Sequence, residues 1–437
     1  MSPRMSAVDL RSPTIAAACK EAAKEFGTPS YVYFVDHLVH RVRSIHKAYS
    51  DSATISYAVK ANPNREILKR MRALVDHLDI SSGGELLLAL EAGWSPGALT
   101  FVGPAKAEWE IRLAVQAGCG YLIAESEAEL AQISEIASSL DVVSNVLLRI
   151  NPTDLPKGFG VSMSRRATIF GIDEEHIDSA IELANSLPNI DLQGFHVYAG
   201  TQCLNEESIV QNITNVARLY SDLIERHRIE AHRLIFGAGF GIPYHDNENA
   251  IDLGEIAKAT VPIFEELAAS SLVGGGEISL EMGRFLMGEC GVFLARVVNT
   301  KATRGTEILA VDGGMNNFLG ASGNLGSVLK RNYPVHNVSR PADGELREYD
   351  IAGPLCTNID TLGRGVRLPP TEPGDLIAVG CGGAYGLTAS PVYFISHRLP
   401  REIVAEIRDD RFEFLDVSDS GVPRTLPDWD GDWTAGD

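Results

Sequence analysis

The chain has 437 residues, 45% hydrophobic and 22% charged, the balance of an ordinary globular protein at a length that implies two domains. Its formal net charge of -20 argues against nucleic acid or an anionic membrane as a main partner, since both need a basic surface. The six cysteines include no C-x-x-C pair, which excludes a disulfide framework and a cysteine zinc site and fits a reduced cytoplasm. Residues 1–20 lack the apolar core of a signal peptide, and no apolar run has membrane-spanning length.

Taken in order, the chain opens with an Ala-rich helix from Thr14 to Phe26, ended by Gly27. Pro29 to Asp36 is aromatic and β-branched and reads as a strand. Strands are then expected at 54–59, 78–81, 99–102, 121–124, 143–150, 191–198, 234–236 and 277–281, with helical patterns between them. About eight strands spaced by helices over some 250 residues is the rhythm of a (β/α)8 TIM-type barrel. After Arg284 the pattern turns β-rich, so a C-terminal all-β domain follows. The expected domains are an N-terminal segment 1–28 packing with the β domain, a barrel at 29–285, the β domain at 286–415, and a mobile acidic tail at 416–437.

The barrel's strand ends are where chemistry is expected. Ser56-Tyr57-Ala58-Val59-Lys60-Ala61-Asn62-Pro63-Asn64 is a short apolar strand that ends on one lysine, stopped by Asn-Pro. A partly desolvated lysine is a usable nucleophile; the plain alternative is a surface lysine after a strand. Gly237-Ala238-Gly239-Phe240-Gly241 follows another strand. Its glycines either turn backbone N–H groups onto an anion such as phosphate or simply make a turn. Glu281 and Arg284 end the next strand, as a surface ion pair or as an acid for a cationic heterocycle beside a phosphate-binding guanidinium. His196 and Tyr198 are expected on one strand face, as a core pair or a platform for a flat cofactor. In the β domain, Gly353-Pro354-Leu355-Cys356 and Gly383-Ala384-Tyr385-Gly386 are glycine turns that carry one cysteine and one tyrosine.

Together these pieces resemble the fold-type III pyridoxal-phosphate decarboxylases, the family of diaminopimelate, ornithine and arginine decarboxylases. The matching pieces are YAVKANPN, DISSGGEL from Asp79, LRINP from Leu148, FGAGFGIPY, EMGR, VDGGMN from Val311, GPLC and GAYG, spread from Gly27 to about Arg401. The resemblance implies a barrel, a β domain, pyridoxal 5'-phosphate, and a homodimer with shared active sites. It assigns Lys60 to the lysine that holds the cofactor covalently and Glu281 to the acid facing the pyridine nitrogen. Gly237, Gly239, Gly241 and Arg284 fall to the phosphate cup, with Thr201 beside them. Tyr385 matches a tyrosine reaching the phosphate, and Cys356 a proton donor offered by the other subunit. Asp79 and Glu85 match positions near the cofactor. Tyr198 aligns with the residue that stacks on the ring, and His196 lies two residues earlier.

Thr357 and Asp360 fall at substrate positions. Thr357 stands where diaminopimelate and ornithine enzymes carry an acid for the distal amine. No arginine follows VDGGMN, where diaminopimelate enzymes bind a distal carboxylate. The segment there, Gly320 to Gly326, is small and Gly-rich, and with RNYPV it is similar to the siderophore and antibiotic branch. The implied activity is α-decarboxylation of a modified, conjugated or carrier-bound amino acid. Ordinary basic amino-acid decarboxylation, a racemase and a non-catalytic paralogue are the competing readings. The retention of Lys60, Glu281, Arg284 and Cys356 counts against the last.

Overall fold

The computed structural model describes residues 7–418, except 155, 157, 159–160, 163–167, 246, 271–272, 274, 324–330, 342–343 and 409–410. The described chain divides into two compact units. One spans Arg43–Gly241 and Ile251–Met282; the other takes in the residues up to Val42, Ile242–Ala250 and those from Gly283 on. Most of the expected acidic tail, and Asn324 to Gly326 of the Gly-rich loop, lie outside the described residues.

Strand β1 is Ser30–Phe34. The barrel strands are β2 (Thr54–Ala58), β3 (His77–Ile80), β4 (Leu99–Phe101), β5 (Tyr121–Ala124), β6 (Ser144–Asn151), β7 (Ile190–Val197), β8 (Arg233–Gly237) and β9 (Glu277–Met282). Each pairs in parallel with the next, from β2 to β9. β9 then pairs with β2 and closes the ring. These are the eight apolar runs the sequence offers. Parallel strands covered on both faces need continuous apolar residues, and β3 to β5 are buried almost throughout.

The second unit is built on a mostly antiparallel sheet. Besides β1, its main strands are β10 (Gly291–Thr303), β11 (Thr306–Val311), β12 (Arg347–Ala352), β13 (Thr361–Leu368), β14 (Leu376–Val379), β15 (Arg401–Arg408) and β16 (Arg411–Asp416), and a short strand at Val335–Asn337 pairs antiparallel with β14. The order β13-β12-β11-β10-β1-β15-β16 contains one correction to the expected boundary at residue 29. β1 is not a barrel strand: it pairs antiparallel with β10 and parallel with β15. Its five residues are all buried, so its periodicity could not reveal which sheet it joins. Helix α1 (Pro13–Phe26) lays Ile15, Ala18, Cys19 and Ala22 on the same sheet, against Val32, Val292 and Ile403.

Candidate active site

Lys60 sits in a single 3-10 turn, Val59–Ala61, directly after β2. Asn62 is extended ahead of Pro63, and the Asn64 side chain accepts from the Glu66 amide to start the next helix. The lysine is thereby held at the C-terminal end of a barrel strand, pointing at two acids. Its Nζ lies 3.3 Å from Asp79 Oδ2 and 3.6 Å from Glu281 Oε1. The ring centroid of Tyr198 is 5.7 Å away. Asp79 is set by β3, in register with Ala58. Glu281 is set by β9, in register with both Ser56 and Gly237.

The two acids divide one positive charge unequally. Burial, joined by the Glu281 charge, drives the Asp79 carboxyl well above the ordinary carboxylate range, although Lys60 pulls it down by its charge and its hydrogen bond. Burial would raise Glu281 too, but Lys60, a hydrogen bond from His196 and the Arg149 charge overcome it. Glu281 falls from 4.5 to about 2. The pair therefore behaves as an ionised Glu281 beside an Asp79 inclined to hold a proton. Asp79 Oδ1 is buried with no partner among the described residues. Glu85 is also raised by burial, against the Ser81 amide that its carboxylate accepts at 2.6 Å.

His196 and Tyr198 part company. His196 is fully buried, and its Nε2 meets Glu281 Oε2 at 2.9 Å. Burial lowers its pKa more than Glu281 raises it, so a neutral ring donates from Nε2 and leaves Nδ1 unpartnered. As a cofactor contact His196 is corrected to a support behind Glu281, and Tyr198 is the aromatic ring that faces Lys60. The reason is that β7 ends at Val197, so Tyr198 leaves the strand and the two side chains cease to share a face.

The glycine turn is also more differentiated than its sequence implies. Gly239 takes φ +66°, a left-handed conformation that suits glycine, and its carbonyl accepts from the Cys203 amide at 3.0 Å. Gly241 is corrected: its amide already donates to the Cys203 carbonyl at 2.9 Å, so it does not serve an anion. Gly237 is corrected as well, because it is the last residue of β8 rather than part of the turn. Thr201 is half-buried in a short bridge with Val161–Ser162.

In the other unit, Arg284 lies between tyrosines. Its guanidinium is 4.6 Å from the Tyr385 ring centroid and 5.5 Å from that of Tyr244, whose hydroxyl accepts from Nη1. Arg284 Nε is buried with no partner among the described residues. Tyr385 holds φ +52°, an unusual value for a non-glycine residue that turns its ring onto Arg284. Cys356 is exposed and Thr357 is half-buried beside it. Asp360 is corrected from a substrate contact to a loop anchor. It is 2% exposed and accepts from the Met315 amide at 2.6 Å and the Leu355 amide at 2.8 Å. Gly314 and Gly353 leave it room, since a Cβ at either would come within 2.3 Å of its carboxylate.

Sequence reasoning missed the charges behind His196. Arg149, on β6 in register with His196, donates to both Glu125 oxygens at 3.0 Å, and both residues are buried. A single arginine inside the apolar run VLLRI was the available signal, because a buried cation demands a partner. Tyr244 and Tyr333, tilted at 35° with ring centroids 4.6 Å apart, were also missed, having no pattern to mark them.

Residues 35–288 match the family described as pyridoxal-dependent decarboxylase, pyridoxal binding domain. The chain is 36% identical over 398 residues to an L-glutamyl-[BtrI acyl-carrier protein] decarboxylase of Niallia circulans, covering 90% of this chain and 91% of that one. It is 31% identical to a diaminopimelate decarboxylase of Aquifex aeolicus, covering 88% of each. Among solved structures it is similar to the diaminopimelate decarboxylase of M. jannaschii in complex with L-lysine, with a TM-score of 0.81, 26% identity and 91% of each chain covered. The Helicobacter pylori enzyme with L-lysine gives a TM-score of 0.78 at 28% identity, covering 90% of this chain and 95% of that one. No helix among the described residues is long and apolar enough to cross a membrane.

Proposed function

This chain belongs to the fold-type III pyridoxal-phosphate decarboxylases, and we propose that Lys60 binds the cofactor and that the substrate is a modified, conjugated or carrier-bound amino acid. The observation that supports the cofactor assignment is the Lys60–Asp79–Glu281 cluster under the Tyr198 ring. The residues suit pyridoxal phosphate: a nucleophilic amine, an ionised buried acid for a ring nitrogen, and an aromatic face. Among the described residues Asp79 Oδ1 is buried without a partner, and a buried polar atom needs one. When bound, the cofactor supplies the electron sink that makes loss of carbon dioxide possible.

The chain's own groups do the rest. Lys60 Nζ would hold the cofactor until the substrate amine takes its place. Glu281, kept ionised by Lys60 and His196, holds a proton on the ring nitrogen. Tyr198 covers one face. Arg284 and Tyr385 offer a cation and a phenol suited to phosphate. Cys356 Sγ returns a proton to the α-carbon, acting from the partner subunit of a homodimer in the cytoplasm.

Three features support a carrier-borne substrate. The Niallia circulans relative acts on a carrier-bound glutamyl group. Thr357 offers only a neutral hydroxyl where an acid would hold a distal amine. The segment after VDGGMN carries no arginine for a distal carboxylate. The diaminopimelate reading rests on relatives at 29–32% identity. Borohydride reduction followed by peptide mapping tests the Lys60 assignment. Label on the Lys60 peptide is expected, and Lys60→Ala should lose both label and turnover. Label retained in Lys60→Ala overturns it. Carbon dioxide release from glutamyl-carrier, citryl conjugates and free amino acids decides the substrate.

A further inference from the structure

Gly237 reads in sequence as the first glycine of an anion-binding turn, and its geometry says otherwise. It is the last residue of β8, in register with Glu281 on β9. Its φ is not among the positive values, so its conformation is open to any residue. What the position lacks is space. A Cβ there would lie 2.4 Å from Tyr198 Cδ2 and 3.0 Å from both Cγ and Cα of Tyr198. The Tyr198 ring therefore occupies the volume that a side chain at 237 would fill. That same ring faces Lys60 Nζ at 5.7 Å, next to the two acids.

We infer that Gly237 is a positioning residue that seats the Tyr198 ring against Lys60 rather than an anion-binding glycine. Positions 198 and 237 form a size-matched pair: the broad phenol ring at one requires the absence of a side chain at the other. This rests on the reading that Lys60 and Tyr198 meet pyridoxal phosphate. A Cβ at 237 cannot be absorbed by a distant flexible tip, because the opposing atoms are the base of the ring and the backbone of Tyr198. The ring must tilt or shift by about 1 Å, a displacement that costs on the order of 10²-fold in rate when it falls at a reacting centre.

The test is a double-mutant cycle of Gly237→Ala and Tyr198→Ala in the full-length protein. Three readouts are taken: the dissociation constant for pyridoxal phosphate added to cofactor-stripped protein, the visible circular dichroism of the bound cofactor, and kcat/KM. Far-ultraviolet circular dichroism and thermal unfolding check that each variant folds. Gly237→Ala alone should weaken cofactor binding about tenfold or more and change the visible dichroism, while Tyr198→Ala does the same through the missing ring. In the Tyr198→Ala background Gly237→Ala should add little, since only the 3.0 Å approach to the backbone of residue 198 remains. Fully additive effects, or a Gly237→Ala protein with wild-type affinity and dichroism, overturn the inference. Should Gly237→Ala fail to fold, folding restored by adding Tyr198→Ala supports the pairing, and a double variant that stays unfolded refutes it. Wild-type protein that carries no cofactor on Lys60 would instead overturn the underlying functional reading.

Discussion

Removing the Lys60 amine from the cofactor-free protein isolates the electrostatics of the site. Lys60→Ala leaves Glu281 and Asp79 buried together without their shared cation. At 3.6 Å and an effective dielectric constant of about 20, the Lys60–Glu281 attraction is about 5 kcal/mol before screening. Lys60 is 37% exposed on its side chain, so water takes a large share, and about 2 kcal/mol is the expected loss. The displacement of Glu281 from 4.5 to about 2 corresponds to ~3 kcal/mol net, after burial has opposed Lys60, His196 and Arg149, so it agrees with that figure in sign and order of magnitude. Because the folded Glu281 is more acidic than the unfolded one, its stabilisation is complete above pH 4.5. It is lost as the pH falls toward 2. The penalty of Lys60→Ala should therefore be full at pH 7 and pH 5 and shrink by pH 3. Guanidinium unfolding of stripped protein at pH 7, 5, 4 and 3 measures it, and Tm should drop by about 2–4 °C per kcal/mol lost. In a Glu281→Gln background the penalty should largely vanish. A loss of equal size at pH 7 and pH 3, or one that survives Glu281→Gln, would refute this account of the site.

Mixing inactive Lys60→Ala with inactive Cys356→Ala should restore part of the activity, measured as carbon dioxide release, if the sites are shared between subunits. No recovery despite demonstrated subunit exchange would count against sharing. Asp360→Ala should destabilise the second unit by about 1–3 kcal/mol, since the Met315 and Leu355 amides lose their acceptor. The loss should appear in unfolding curves, and a change confined to KM would contradict the anchoring role. Free meso-diaminopimelate, lysine and ornithine should be poor substrates beside an acyl- or carrier-bearing amino acid. A kcat/KM for free diaminopimelate of about 10⁴ M⁻¹s⁻¹ or more would overturn that expectation.

The barrel was legible in the sequence because each parallel strand is an apolar run of its own, and all eight lie where their runs lie. Lys60 and Glu281 stood out in the sequence as charges at the ends of apolar strands, which need a task or a partner, but the residues alone left a surface reading open, and Asp79 was marked only by the family resemblance. Sheet membership was not legible for β1: a strand buried on both faces carries no mark of its neighbours, and only its pairing with β10 and β15 decided its place. The same limit separated residues that share a motif. His196 and Tyr198 are two apart, yet one ends behind Glu281 and the other in front of Lys60, because the strand stops between them. Gly237 and Gly239 look alike as letters. One is required for the space that Tyr198 takes and the other for a left-handed φ, and both demands come from atoms that only the folded chain brings near.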